Sequence, residues 1–258
     1  MIVFMYLKVN LLTSYSCCDL MEITNTGIPG LDELLGGGIP TGWTTILSGA
    51  PGSGKTCLSI GYLVEGIKKY KEPGIFCSFN ESRKELYLTQ KVFGYDLEKY
   101  EKSSKLKILD FSYGRALGEG QLALQQTKVD LPALTKSIKE SINEIGAKRL
   151  VIDPLTIISL LFDNIREVRY NFLRFFDVIR LFGVTSLAIT ESNSSKEFTV
   201  EEFLAAGIIR LYNERLGSKR QRGIEIVKMR GINHKRGLFP LSITSQGIII
   251  SPEVEMLS

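Results

Sequence analysis

Histidine is almost missing from this chain: His234 stands alone among 258 residues, which excludes a multi-histidine metal centre. Cysteine is scarce too. Cys17 and Cys18 are adjacent, Cys57 and Cys77 fall in apolar stretches, and no C-x-x-C pair exists. A dithiol redox motif is therefore excluded, and Cys57 and Cys77 read as core residues. Sparing cysteine use fits a reducing, cytoplasmic compartment. The first twenty residues, MIVFMYLKVNLLTSYSCCDL, are apolar only in pieces, broken by Lys8 and Asn10. They fall short of the roughly 20 apolar residues a membrane span needs, and no basic stretch precedes them as in a signal peptide. They read as an upstream extension with a mis-assigned start, or as a short extra strand; the segment from Met21 to Ser258 reads as one domain.

Net charge is small, +4, and by itself does not mark a nucleic-acid binder. Its distribution is uneven: Arg210 to Arg236 holds nine Lys/Arg against two Asp/Glu, which points to a local basic site. No internal repeat, low-complexity tract or long linker appears. Short β-rich runs alternate with longer helical ones, the pattern of a mostly parallel sheet covered by helices. The strands are expected at TTILSG, IFCSF, LKILDF, RLVID, TSLAITE, AAGIIRLY and IEIVKM, with FPLSIT and GIIIS as a terminal hairpin around Ser245-Gln246-Gly247. Helices are expected over KTCLSIGYLVEGIKKY, over SRKELYLTQKVF with a Ser82/Glu85 capping box, and over LPALTKSIKESINEIG. EVRYNFLRFFDVIRLFG, apolar around much of its circumference, is expected to be well buried. Gly36 to Gly38 either let backbone approach something closely or form a flexible connector.

The chemistry starts at Gly49–Thr56, GAPGSGKT, which fits G-x-x-x-x-G-K-[ST], follows a strand and opens a helix. In that setting backbone N–H groups and a helix N-terminus surround a phosphate. The nucleotide cradle is assigned to Gly49, Ala50, Pro51, Gly52, Ser53, Gly54, Lys55, Thr56 and Cys57, with Lys55 on the β- and γ-phosphates and the Thr56 hydroxyl on Mg²⁺. RLVID ends in Asp153, a candidate Walker B carboxylate for Mg²⁺. TSLAITE carries Thr190 and Glu191 to the same sheet edge; Thr190 either touches the γ-phosphate or attacking water, or caps the next turn. In IEIVKMRGINHKRG, Lys228 and Arg230 are two apart and share a side, so they serve a neighbouring subunit's triphosphate or form solvated surface charge.

Taken together, TGIPGLDELLGGGIPTGWTTILSGAPGSGKT, IFCSFNES, KRLVID, VEEFLAAGIIRLY and IEIVKMRGINHKRGLFPLSIT resemble the KaiC family within the RecA superfamily of ATPases, over Thr24 to about Ser251. The resemblance implies a RecA-like P-loop NTPase fold: an α/β domain with a mostly parallel central sheet, helices on both faces and a C-terminal β-hairpin. It implies ATP and Mg²⁺ as cofactors and a homo-oligomeric ring, a hexamer, with ATP at subunit interfaces. By the family pattern Lys228 and Arg230 act in trans, and His234 matches the family histidine of the same loop. A cis peptide bond is expected after Asp153, where Pro154 follows.

Three departures qualify the resemblance. The family's clock protein has two such domains in tandem and this chain has one. That protein's second domain carries a phosphorylated Ser and Thr, where this chain has Glu202 and Phe203, so autophosphorylation there is not expected. The family's Glu-Glu after the second strand is Asn80-Glu81 here; an amide positions water but cannot take its proton at neutral pH. The leading expectation is a slow ATPase in regulation or signalling, acting with Asn80, Glu81, Lys55, Lys228 and Arg230. An ATP-dependent switch or scaffold without turnover and a recombinase-like DNA-binding protein remain beside it. A protein partner is compatible with all three.

Overall fold

The computed structural model describes residues 21–112, 131–191 and 198–256. The proposed extension at residues 1–20, with Cys17 and Cys18, lies outside the described residues. Nine strands form one sheet in the order β11-β10-β9-β8-β3-β7-β6-β4-β5. They are β3 (Thr44–Gly49), β4 (Gly74–Ser78), β5 (Leu106–Asp110), β6 (Arg149–Asp153), β7 (Thr185–Glu191), β8 (Gly207–Leu216), β9 (Lys219–Met229), β10 (Leu238–Thr244) and β11 (Gly247–Ile250). The run from β8 to β5 is parallel; β9, β10 and β11 are antiparallel. A separate pair, β1 (Ile23–Thr24) with β2 (Ile39–Pro40), flanks the short helix α1 (Leu31–Leu34).

Helices cover both faces, as the sequence pattern implies. Strand residues alternate sides, so Leu47, Val151 and Ile189 meet Leu58 and Tyr62 of α2 (Lys55–Glu65) on one face. Ile46, Ile152 and Ala188 meet Ile138 of α5 (Leu131–Ile145) and Phe172 and Phe175 of α7 (Ile165–Leu181) on the other. The remaining helices are α3 (Arg83–Lys91), α4 (Leu97–Lys102), α6 (Thr156–Ser159) and α8 (Val200–Leu204). The capping box at α3 forms: the Ser82 N–H donates to Glu85 Oε2 at 2.7 Å while the Ser82 hydroxyl accepts from the Glu85 N–H at 3.3 Å.

Several local expectations change. The helix after the P-loop ends in a π-helical turn, Gly66–Tyr70. The helix α7 is one-sided, not well buried: Phe172, Phe175 and Ile179 face the core, while Ile165, Tyr170, Leu173 and Leu181 are exposed. Its apolar residues exceed what one packed face can cover. The strands β8 and β9 run several residues past the apolar segments that announced them, joined as a long hairpin. The terminal hairpin turns on Ser245-Gln246 alone, because Gly247 already pairs with Thr244. The glycine triplet does serve close approach: a Cβ on Gly38 would sit 2.3 Å from the Thr24 carbonyl oxygen, and one on Gly36 2.5 Å from that of Asn233. The Asp153–Pro154 bond is cis, as expected.

Away from the site, Arg149 at the start of β6 ties the amino-terminal segment to the sheet. It is fully buried, pairs with Glu72 and donates to the carbonyls of Asn25, Thr26 and Tyr62 at 2.7, 3.2 and 2.8 Å. Its guanidinium stacks on Tyr62 and fills the space a side chain on Gly66 would need, 2.3 Å from a Cβ there. Arg149→Ala is expected to cost about 3–5 kcal/mol in urea unfolding, since it leaves several buried acceptors unpaired. Arg149→Lys should recover little, because one ammonium cannot span a fork of acceptors. A lysine variant with parent-like stability would refute this role.

Candidate functional site

The parallel register brings the carboxyl ends of β3, β4, β6 and β7 to one edge, where ligands sit in open α/β sheets. There β3 stops at Gly49 and α2 starts at Lys55. Gly49, Gly52 and Gly54 all have positive φ, at 155°, 75° and 105°. At Gly49 a Cβ would lie 2.4 Å from the Leu211 carbonyl oxygen, so only glycine fits. Inside the loop the Ser53 hydroxyl is buried and has no partner among the described residues. The Lys55 ammonium folds back on the loop, donating to the carbonyls of Gly49 at 2.6 Å and Ala50 at 3.1 Å. Burial lowers its pKa, with Glu191 and Asp153 opposing the shift.

Asp153 closes the arrangement. It alternates with Val151, so it faces α2, and its Oδ2 accepts from the Thr56 hydroxyl at 2.8 Å. Burial pushes its pKa up to about 6, against the pull of Thr56 and Lys55, with the charges of Glu81 and Glu191 pushing further. Glu81 is therefore near enough to Asp153 to act on it, and burial followed by Glu85 raises its own pKa. The turn bearing Glu81 is held by Ser78, whose hydroxyl donates to the Glu81 carbonyl at 2.5 Å. Asn80 is exposed beside it.

Strand alternation separates two neighbours. Glu191 lies on the α2 side and acts on Lys55 and Asp153. Thr190 shares the opposite face with Ala188, is fully buried, and its hydroxyl has no partner among the described residues. Of the two readings of Thr190, the opposite pleat carries it away from α2 and so from a γ-phosphate or water contact there, and among the described residues its hydroxyl caps no turn. The Cys57 thiol is packed in the core, where burial raises its pKa to about 12, so only its backbone is left for a cradle role.

Two contributors were missed in the sequence. Asn213 Nδ2 and Arg222 Nε, opposite each other on β8 and β9, both donate to the Gly52 carbonyl, at 3.3 and 3.0 Å. Arg222 lies two residues before Ile224, so alternation would have found it had the strand been extended that far.

Lys228, Arg230 and His234 occupy the other end. Met229 pairs with Gly207 and Gly207 with Thr45, at the amino end of β3. From Thr45 to Gly49 the strand runs roughly 13 Å, beyond the reach of a lysine. These residues therefore cannot serve the P-loop of their own chain. A bulge in the β8–β9 ladder, between Ile208 and Ile209, turns Lys228 onto the face away from α2. The basic segment consequently does not make one patch. The hairpin spans the sheet, with Arg215 to Arg222 near the P-loop and Lys228 to Arg236 at the far edge; Arg210 is buried against Glu202.

The site fits a phosphate chain and one hard divalent cation. Among the described residues no cluster of three or more His, Cys, Asp or Glu could hold a metal. One buried carboxylate with a hydroxyl beside it suits Mg²⁺, which takes few protein ligands and completes its shell from phosphate and water.

Comparison with known proteins agrees with this geometry. A family model described as "ATPase: KaiC" matches residues 24–255. A circadian clock oscillator protein KaiC from Picosynechococcus sp. is 38% identical over 231 residues, 88% of this chain and 44% of that protein. The corresponding protein of Nostoc sp. is 35% identical over 90% of this chain and 44% of its own length. The chain thus spans under half the length of these curated relatives. A solved KaiC-like protein from Pyrococcus horikoshii OT3 superimposes with a TM-score of 0.77 at 32% identity, covering 90% of this chain and all of that one.

The raised pKa of Asp153 makes a testable statement about metal-free protein. The folded state holds this proton more tightly than the unfolded chain, whose value is near 3.8. The group therefore favours folding below about pH 4, and that contribution is lost as pH rises through about 6. In EDTA, Asp153→Asn should gain stability over the parent between pH 4 and 7.5, by on the order of 3 kcal/mol. A pH-independent difference in urea midpoints would contradict the burial of this charge.

Proposed function

The chain belongs to the KaiC ATPase family, and from that premise we propose that it binds ATP with Mg²⁺ and hydrolyses it slowly, at sites completed by a second copy of itself, in a regulatory or signalling role. We read Met21 to Ser258 as one ATPase domain working in a homo-oligomeric ring, a hexamer, in the cytoplasm. The observation that carries the reading is the buried Asp153 carboxylate, bonded to Thr56 beside the loop of Lys55 and within electrostatic reach of Glu81.

The roles follow from the chemistry of each group. Lys55 exchanges its two loop carbonyls for phosphate oxygens, a charge-assisted contact in place of neutral ones. Ser53 and the backbone N–H groups of the loop hold the β-phosphate. Thr56 and Asp153 would hold Mg²⁺, which would supply positive charge against the phosphate chain. Asn80 orients the attacking water by hydrogen bonding. Glu81 takes its proton, helped by burial that raises its basicity. Lys228 and Arg230, too far from their own P-loop, supply positive charge to the neighbour's γ-phosphate, with His234 in the same loop. Glu202 and Phe203 bear no hydroxyl, so neither accepts a phosphoryl group.

A second reading, an ATP-dependent switch without turnover, draws on Asn80. Phosphate release decides between them. Asn80→Glu is expected to raise the rate by about tenfold or more with little change in ATP affinity, and Glu81→Gln to remove most of what remains. If neither substitution moves the rate, Glu81 and Asn80 do not activate water. For the neighbour contact, Lys228→Ala with Arg230→Ala should weaken ATP-dependent assembly in light scattering and leave monomer folding intact. Parent-like assembly and turnover would rule the trans roles out.

A further inference from the structure

The β-bulge that turns Lys228 aside sets it against the end of α8. Its ammonium donates to the carbonyls of Ala205 at 2.8 Å, Phe203 at 3.2 Å and Glu202 at 3.4 Å. Those oxygens, together with nearby Arg230, surround a partly desolvated cation whose pKa is lowered, first by burial. A phosphate oxygen of a neighbouring subunit can engage this ammonium only in exchange for one of its carbonyls, so where α8 stands decides how readily Lys228 is given up.

The helix α8 has five residues, too few to hold its shape alone. Glu202 anchors it at both carboxylate oxygens. Oε2 accepts from the Thr199 N–H at 3.0 Å, and Oε1 accepts from Arg210 Nη2 at 3.0 Å. The pair is buried, with side-chain exposures of 0% for Glu202 and 6% for Arg210, so neither charge can be released to water. Arg210 Nε donates in turn to the Ser48 hydroxyl at 3.3 Å, directly across the β3–β8 ladder. Ser48 precedes Gly49, whose carbonyl accepts from Lys55.

The path is therefore continuous, from Lys55 through Gly49, Ser48, Arg210 and Glu202 to Lys228. We propose that Glu202 is a positioning residue: through α8 it couples a subunit's own nucleotide site to the placement of the Lys228 which that subunit offers its neighbour. When phosphate draws Lys55 off the Gly49 carbonyl, the Ser48–Arg210–Glu202 link moves α8 and frees Lys228 for the next site. Each occupied site thus improves binding at the adjacent one, a coupling between distinct sites carried by packed, charged contacts. The inference rests on the trans reading of Lys228 above.

The test is titration of the assembled full chain with a fluorescent ATP analogue in Mg²⁺, at concentrations where light scattering reports assembly. The parent should bind with a Hill coefficient above 1. Glu202→Gln with Arg210→Gln removes both charges, retains an acceptor for Thr199, and should bring the coefficient to about 1 with mean affinity within about threefold. Should that pair fail to fold, Ser48→Ala cuts the same path without touching a charge and should give the same loss. Lys228→Ala should lose cooperativity and also weaken binding and assembly. A parent coefficient of 1, or cooperativity retained in the folded path variants while Lys228→Ala loses it, overturns the coupling alone. Parent-like binding and assembly in Lys228→Ala overturns the trans reading and the coupling with it.

Discussion

A carboxylate held out of water, with no cation bonded to it among the described residues, is the constraint around which this site is built. Asp153 ends a buried parallel strand, bonds to Thr56, and has its charge opposed by burial and by two other carboxylates, Glu81 and Glu191. Among the charges of the described residues only Lys55 works in its favour, and that ammonium is committed to loop carbonyls. Such an arrangement is poorly stabilised by itself and well suited to a divalent cation and a phosphate chain. The Ser53 hydroxyl in the same loop, buried and without a hydrogen-bond partner among the described residues, points the same way. Stability is held elsewhere, in the two apolar layers and in contacts such as those of Arg149, which leaves the P-loop edge free to be electrostatically frustrated.

The division of labour between the two edges of the sheet follows from topology. Parallel strands put every carboxyl end on the phosphate side. The antiparallel β9 returns the chain to the opposite side, and with it Lys228, Arg230 and His234. With the P-loop on one edge and these cations on the other, the layout suits the head-to-tail assembly proposed above. The buried pair of Glu202 and Arg210 lies between those edges, where it can join the two functions without facing either ligand.

Much of this was legible in the sequence because it is local. A P-loop is a backbone path set by glycines at fixed spacing, followed by a helix, so Gly49 to Thr56 announces both its shape and its chemistry. Asp153 at the end of an apolar strand, the Ser82/Glu85 capping box and the terminal hairpin are equally short-range. What the sequence could not convey was direction and extent. Thr190 and Glu191 are adjacent, and only the pleat of β7 sends Glu191 to the phosphate side and Thr190 to the core. The apolar residues spread around α7 gave no indication that several would remain exposed.

Sequence alone therefore determined the fold class and located the P-loop and the strand-end Asp153, since each motif depends on residues within a few positions of one another. Tertiary structure decided which side chains meet across the sheet. Arg222 and Asn213 reach Gly52 because two strands extend past their apolar cores and pair in one register. Lys228 meets α8, not the α2 face, because one extra residue in β9 reverses its side. Register and bulges are properties of paired strands, set by contacts between segments far apart in the chain, and no single segment contains them.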